Sequence, residues 1–464
     1  MNDMTRRRFM EKSLASVGVA GTAAGVAKAS ATLATVAAAK SAVLGANERV
    51  RVGVVGVGGQ GRVDMQTFLR QQGHAIEIPV ICDVDDAMLA RAVKVLESKG
   101  QKRPETVKDF RRVVDRDEID VVLVATPDHW HPLPVIHACQ AGKDVYCEKP
   151  LANSIGEGKR MLDFARKYDR IVQVGTQWKA STHFTEAVDY VHSGKLGTIR
   201  LVRCWAALDW FPSIGIVEDS ATPPGVDYDM WLGPARKRPF NQARFHFTFR
   251  WFWDYAGGLM TDWGVHLLNI ALWAMNVDFP KRVSSTGGKY VFTDSAETPD
   301  TQCTLFDFEK FALIWEHQAG TGHGPENRPH GMAFYGTNGT LVVDTSGWQV
   351  VPEKPRPASN ARGKLLELTP IDPIEKKADP KVDPELGRIR LVSNFLESVK
   401  TRKRPLMDIE YGHHVTTVAH LGNLALRTGR SIEYDAAGMR VIGNDQANGM
   451  VTSAYRKPWV LPEL

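Results

Sequence analysis

The sequence predicts an α/β protein whose N-terminal part is a doubly wound parallel sheet. Three observations carry that prediction. Short β-branched runs alternate with helix-length segments, a glycine triplet Gly56-x-Gly58-x-x-Gly61 closes the first run, and Glu148-Lys149-Pro150 closes a later one. Strands buried on both faces of a parallel sheet read as continuous apolar runs, as these do.

Residues 51–55 form the first strand and residues 62–71 the helix after it, so the triplet occupies the turn between them. Gly56 permits a tight turn, Gly58 lets the backbone approach a pyrophosphate, and Gly61 lets helix and strand pack closely. Gly59 and Gln60 lie in the same turn, where the free N–H groups and positive dipole end of the helix suit a phosphate. This is the turn of a Rossmann dinucleotide site.

The second strand, residues 78–82, ends at Asp83, where a carboxylate meets the adenosine ribose hydroxyls and repels a 2′-phosphate. NAD is therefore expected, with NADP an alternative if a basic neighbour compensates. Asp83 could also be a plain strand-end turn residue. A third strand, residues 119–125, leads into Thr126-Pro127-Asp128-His129-Trp130-His131. Carboxyl ends of such strands face the ligand crevice, so this loop should line the cofactor. His129, His131 and His137 are not expected to hold a metal, because Pro132 and the following helix disrupt regular ligand geometry and no cysteine pair completes a shell. Residues 144–147 form the strand before Glu148-Lys149-Pro150, followed by a helix over 154–168 and a strand over 171–174. A cis bond before Pro150 would aim Lys149 into the crevice.

Together with Gly257-Gly258-Leu-Met-Thr-Asp262-Trp-Gly264-Val-His266, these elements resemble, in this order, the glucose-fructose oxidoreductase / inositol dehydrogenase / rhizopine catabolism family, Gfo/Idh/MocA. The resemblance implies a Rossmann domain over 47–175, a C-terminal α/β domain with an open, mainly antiparallel sheet over 176–440, and a tail over 441–464. It also implies NAD(P)-dependent chemistry on sugars, sugar alcohols or cyclitols, and homo-oligomers built through the open sheet. Glu148 and Gln177 fall among the cofactor-binding positions it suggests, whereas Lys179 departs from an arginine-containing loop near the nicotinamide in many relatives.

Asp262 and His266 are four residues apart, which on a helix places both side chains on one face, so both could reach one substrate hydroxyl. Oxidising a carbinol requires removal of its O–H proton, and histidine suits that task. His266 is expected as the base, Lys149 as the group stabilising the alkoxide, and Asp262 as the residue that orients His266 or binds a neighbouring hydroxyl, with the first two roles exchangeable. The plain alternative is an N-capping aspartate and a core histidine. Residues 245–253 alternate aromatic and polar side chains as a strand does, and most of these rings are expected on the buried face of the large sheet. Trp178, Lys179, Arg250, Trp253 and Tyr255 are the candidate sugar contacts beside Lys149, Asp262 and His266.

Residues 5–10, Thr-Arg-Arg-Arg-Phe-Met, followed by a mildly apolar Ala/Gly/Val/Thr stretch, read as a twin-arginine export signal within residues 1–46, with small-residue cleavage candidates at 27–29 and 37–39. The alternative is an ordinary secretory signal. A periplasmic or exported enzyme and a tightly held, internally recycled cofactor are expected, with the twin-arginine machinery as a partner. Six basic and two acidic side chains in residues 1–46 account for four of the five net positive charges of the 464-residue chain, so nothing favours nucleic acid. Beyond the signal no stretch is long and apolar enough to span a bilayer.

Cys82, Cys139 and Cys147 are expected as buried thiols, His413 and His420 as too far apart to share an ion, and residues 353–386 as a surface extension. The reaction expected is hydride transfer between a sugar or glycoside carbinol and nicotinamide. The alternatives are a redox glycosidase, which oxidises transiently, eliminates, adds water and re-reduces, and a non-catalytic sugar-binding paralogue.

Overall fold

A computed structural model describes residues 49–354, 366–379 and 382–464. The export-signal reading lies outside them, as does part of the 353–386 segment. Among the described residues no helix is long and apolar enough to cross a membrane.

The buried run Val50–Val55 (β1) feeds the glycine turn and helix Gly59–Leu69 (α1). There follow Ile76–Cys82 (β2), Asp86–Ser98 (α2), Glu105–Val107 (β3), Val121–Val124 (β4), Pro132–Gln140 (α3), Asp144–Cys147 (β5), Ile155–Lys167 (α4) and Val172–Val174 (β6). The six strands are parallel in the order β3-β2-β1-β4-β5-β6. Strand order reverses between β1 and β4, and a crevice opens at their carboxyl ends.

The C-terminal part begins with Thr182–His192 (α5) and Leu201–Leu208 (β7). Tyr228–Leu232 (α6), Gly258–Asp262 (α7) and Gly264–Met275 (α8) follow, and then Arg282–Gly288 (β8), Thr301–Asp307 (β9), Ala312–Ala319 (β10), His330–Tyr335 (β11), Gly339–Asp344 (β12), Gly347–Pro352 (β13) and Ile374–Lys377 (β14). These strands build an eight-stranded sheet, β14-β13-β12-β11-β7-β10-β9-β8, in which only β7 and β10 pair in parallel. The 353–386 segment thus contributes an edge strand as well as exposed chain, and its Glu375, Lys376 and Lys377 keep that edge charged.

Residues 245–253 do not form the expected strand. They wind through the 3-10 segment His246–Trp251, just after a shorter one at Gln242–Arg244, with His246 at φ 56°. Their rings pack on helix and loop aromatics instead of sheet neighbours: Phe245 lies 5.5 Å from Trp231 of α6 and 5.2 Å from Phe240, and Trp251 lies 4.2 Å from Phe211.

Two late helices, Asp383–Thr401 (α9) and Ile409–Thr428 (α10), return to the parallel sheet. Phe395 meets Phe68 of α1 and Tyr146 of β5 edge-on at 6.2 and 5.7 Å. Arg402 binds both carboxylate oxygens of Asp144, and the Leu151 N–H donates to Thr416. Segments beyond residue 380 therefore complete the core of the dinucleotide sheet. Phe395 is fully buried, so Phe395→Ala should cost about 3–5 kcal/mol, read as a shifted denaturation midpoint. A loss under about 1 kcal/mol would mean that α9 only rests on the sheet.

Candidate active site

The glycine turn forms because two of its positions have no room for a side chain. Gly56 has φ +88°, and a Cβ there would lie 2.6 Å from the Ala125 carbonyl; a Cβ on Gly61 would lie 2.1 Å from the Gly56 carbonyl. Gly58 has nothing within 4 Å of its missing side chain, so its backbone faces open space. Asp83 pins the turn from below, one carboxylate oxygen accepting from the Val57 N–H at 2.9 Å and the other from the Asp85 N–H at 3.1 Å. Burial raises its pKa against those two hydrogen bonds. Gln60 donates to Asp64. These features fit a dinucleotide: a turn stripped of side chains at a helix N-terminus, with an acidic strand end beside it.

The cavity above the turn has a volume of about 530 Å³ and is roofed by Met230, Trp231, His246, Phe247, Phe249 and Arg250. Several contacts fasten that roof. His246 Nε2 lies 2.8 Å from an Asp85 oxygen, the Asp227 N–H donates to the Val84 carbonyl, and Trp130 Nε1 donates to the Trp231 carbonyl. A C-terminal strap adds Trp459 against Trp130 at 4.9 Å and Arg456 against Asp229.

At the floor, Lys149 follows β5, and the Lys149–Pro150 peptide is cis. Its ammonium donates to Asp262 Oδ1 at 2.7 Å and to the Asp262 carbonyl at 3.1 Å, while Arg250 Nε reaches the same Oδ1 at 3.1 Å. Burial opposes the charge on Asp262, but Lys149 and Arg250 outweigh it and hold the carboxyl well below the usual range. His266 sits in α8 one turn beyond Asp262, in the buried field of Lys149 and Asp262. Its Nδ1 is buried without a partner. Burial, helped by Lys149, brings its pKa down to about 3, so His266 is neutral rather than poised near pH 7 as expected from its residue type. Asp262 is engaged with the two cations and not with the His266 ring.

The expected cofactor residues Gly56, Gly58, Gly59, Gln60, Asp83, Thr126, Pro127, Glu148 and Lys149 all line the cavity. Burial pushes Glu148 up to about 7. His131 is a correction. It is 1 % exposed, with Nδ1 2.8 Å from the Pro150 carbonyl and Nε2 3.0 Å from the Thr126 carbonyl, and it braces the two loops against each other instead of facing the cavity. Gln177 lies on a separate 3-10 turn, its carbonyl against α9 at Gly387.

Among the expected sugar contacts, Trp178 stacks on Phe184 and lies 5.1 Å from the His266 ring. The Lys179 ammonium turns onto the Tyr411 ring at 3.8 Å, Tyr255 is fully buried beside His129 and Trp231, and Trp253 lies under Arg427 beside a small separate cavity. In these three the side chain packs on a partner that sequence spacing did not reveal, an aromatic ring for Lys179 and Tyr255 and the Arg427 guanidinium for Trp253. Asp128 was missed as a site residue although it stands in the Thr126–His131 loop, and it lines the cavity. Among the described residues no group of three or more His, Cys, Asp or Glu is placed to hold a metal ion.

Comparison with known proteins adds two sequence-model matches. Residues 50–176 match the Gfo/Idh/MocA oxidoreductase family's NAD-binding Rossmann fold, and residues 202–286 and 363–461 match its C-terminal α/β domain. A glycosyl hydrolase family 109 protein 2 of Shewanella sp. (strain ANA-3) is 33% identical over 178 residues, 37% of this chain and 39% of that protein. An alpha-N-acetylgalactosaminidase of Shewanella oneidensis is 32% identical over 124 residues, 26% of this chain and 27% of that protein. The chain thus aligns with about two-fifths or less of the length of these curated relatives. Among solved structures, a levoglucosan dehydrogenase in complex with NADH and levoglucosan shares the fold at a TM-score of 0.62 and 18% identity, covering 83% of this chain and 99% of that one. The WlbA dehydrogenase of Bordetella pertussis, in complex with NADH and UDP-GlcNAcA, does so at 0.59 and 17%, covering 84% and 99%.

Replacing Asp262 by Asn leaves Lys149 and Arg250 facing each other uncompensated, and should cost about 3 kcal/mol of stability at neutral pH. A carboxyl held below its unfolded pKa stabilises above that value and loses the contribution as pH falls. Wild-type stability should therefore decline below about pH 4, and the Asn variant should show a shallower acid decline in denaturation series. In ring-resolved NMR titration, His266 should stay neutral down to about pH 5, with no step near pH 6.5; such a step would contradict the burial argument.

Proposed function

Because the chain belongs to the Gfo/Idh/MocA oxidoreductase family, with an NAD-binding Rossmann domain and a C-terminal α/β domain, we propose that it transfers hydride between the carbinol of a sugar or glycoside and nicotinamide. The observation that carries this reading is Lys149, paired with Asp262 at the floor of the glycine-turn cavity. NAD supplies the hydride acceptor when bound. Gly56, Gly58 and the N-terminus of α1 would take its pyrophosphate, and Asp83 would face its adenosine ribose.

The protein's own groups divide the remaining work. Lys149, positioned by its ion pair with Asp262, donates to the carbinol oxygen and stabilises the alkoxide. His266, neutral with an unpartnered Nδ1, accepts the hydroxyl proton. Its basicity is low, so proton removal depends on Lys149 first making the hydroxyl more acidic. The roof from Met230 to Arg250 excludes water from the reacting atoms.

A second reading, the redox glycosidase, is favoured by the glycosyl hydrolase family 109 relatives. Two further proposals follow from the sequence: export through a twin-arginine signal, with the cofactor retained under the fastened roof, and homo-oligomers formed through the open face of the large sheet, where Leu305 is 46 % exposed.

The test is one assay on aryl glycosides with added NAD, following reduced nicotinamide and released aglycone together. Reduced nicotinamide without aglycone is the result expected of a dehydrogenase. Steady aglycone release without net reduction identifies the glycosidase, and neither product leaves a binding paralogue. Lys149→Met should lower whichever turnover is found by about 100-fold or more, with the fold retained by circular dichroism.

A further inference from the structure

Three carboxyl groups surround Lys149, and the protein engages two of them. Asp262 is held by Lys149 and Arg250. Glu148 accepts the Lys149 backbone N–H at 3.2 Å, and its other oxygen packs over Gly175, where a Cβ would come within 2.3 Å of it. Asp128 differs. It begins the 3-10 turn Asp128–Trp130 at the carboxyl end of β4, lines the cavity, and is only 5 % exposed. Among the described residues no other residue hydrogen-bonds its carboxyl.

A buried polar group without a protein partner, aimed into a cavity, is placed for a ligand. Hydride transfer at a carbinol moves one proton, and Lys149 with His266 provides for it, which leaves Asp128 without a part in that step.

We propose that Asp128 is a second acid–base residue of the site and serves an elimination that follows the oxidation. This rests on the glycosidase reading above. Once the carbinol has become a carbonyl, the adjacent C–H is acidified. The Asp128 carboxylate takes that proton, the C–H electron pair forms a C=C bond, and the C–O bond to the aglycone, on the next carbon, breaks. Asp128 then gives the same proton to the departing oxygen and ends as it began. Water adds across the double bond by the reverse transfers. NAD is the only oxidant involved, and its hydride is returned at the end.

The surroundings suit a group that must both take and give a proton. Burial pushes the Asp128 carboxyl up to about 8, against Arg250 and Lys149, which favour the carboxylate, and with Asp262 adding to the rise. Its other titratable neighbours, Cys147, His129 and His131, are uncharged at neutral pH because burial raises the thiol and lowers both rings. Acid and base forms of Asp128 therefore coexist near neutrality, where a proton shuttle works best.

The test compares wild type, Asp128→Asn and Asp128→Glu on an aryl glycoside with NAD in D₂O. It follows aglycone release, single-turnover reduction of nicotinamide, and deuterium at the carbon beside the carbinol by NMR. Asp128→Asn should lose aglycone release and deuterium incorporation by about 100-fold or more, while nicotinamide reduction falls by less than about tenfold. Asp128→Glu should recover part of the release, and carboxyl-labelled wild type should show a carbon titrating near pH 8 that Asp128→Asn lacks. Equal loss of release and reduction in Asp128→Asn would overturn the proposal, placing the residue in binding or hydride transfer. Undiminished release would overturn it too. A wild type that reduces nicotinamide yet releases no aglycone and incorporates no deuterium would remove the glycosidase reading itself, a result distinct from either.

Discussion

One oxygen atom organises the active site. Asp262 Oδ1 receives hydrogen bonds from Lys149, at the end of a parallel strand, and from Arg250, in the segment that roofs the cavity. Both cations and the carboxylate are largely withdrawn from water, their side chains 14–21 % exposed. Ion pairs in such places contribute little net stability, yet losing one partner leaves the others stranded. The pairing therefore acts as a geometric constraint: the floor lysine, the roof arginine and the entry to α8 occupy one arrangement together. Arg250 extends the constraint, because its guanidinium also donates to the Phe247 carbonyl and lies over the Phe247 and Phe249 rings at 4.7 Å.

Around this point the protein separates its titratable groups by environment. Asp262 is driven down by two cations, whereas Asp128 and Glu148, buried with less compensation, are driven up. His129, His131 and His266 are held neutral by burial. The result is a fixed anion–cation pair next to groups that can exchange protons, the division that acid–base chemistry in one pocket requires.

Much of this was legible in the chain. The strand endings at Cys82 and Cys147 and the span of α4 followed from apolar runs and turn residues, because a parallel sheet buries both faces and leaves few polar interruptions. The positions lining the cavity followed from the glycine turn and the Glu148-Lys149-Pro150 element for the same local reasons. What escaped was non-local. Residues 245–253 carry the period of a strand but lack a strand to pair with, and their rings found partners in a helix and in loops. His131 sits in a loop expected to face the ligand, but two carbonyls claim its ring. Tyr255 and Lys179 stand near site residues in sequence, but their side chains settle on other aromatic rings. Asp128 stands in the same loop as His131, and nothing in the sequence separates it from its neighbours; only its missing partner sets it apart.

The dinucleotide sheet is not finished by the segment that supplies its strands. Phe395 and its neighbours in α9 cover the Phe68 and Tyr146 side, and Trp459 caps Trp130 on the other. A ribosome therefore releases the entire nucleotide-binding sequence, and then the whole large sheet, before the residues that seal the first core emerge. Until then the nascent chain presents an unsealed apolar face, and synthesis through α9 and Trp459 is a condition for a cleft able to hold its nucleotide.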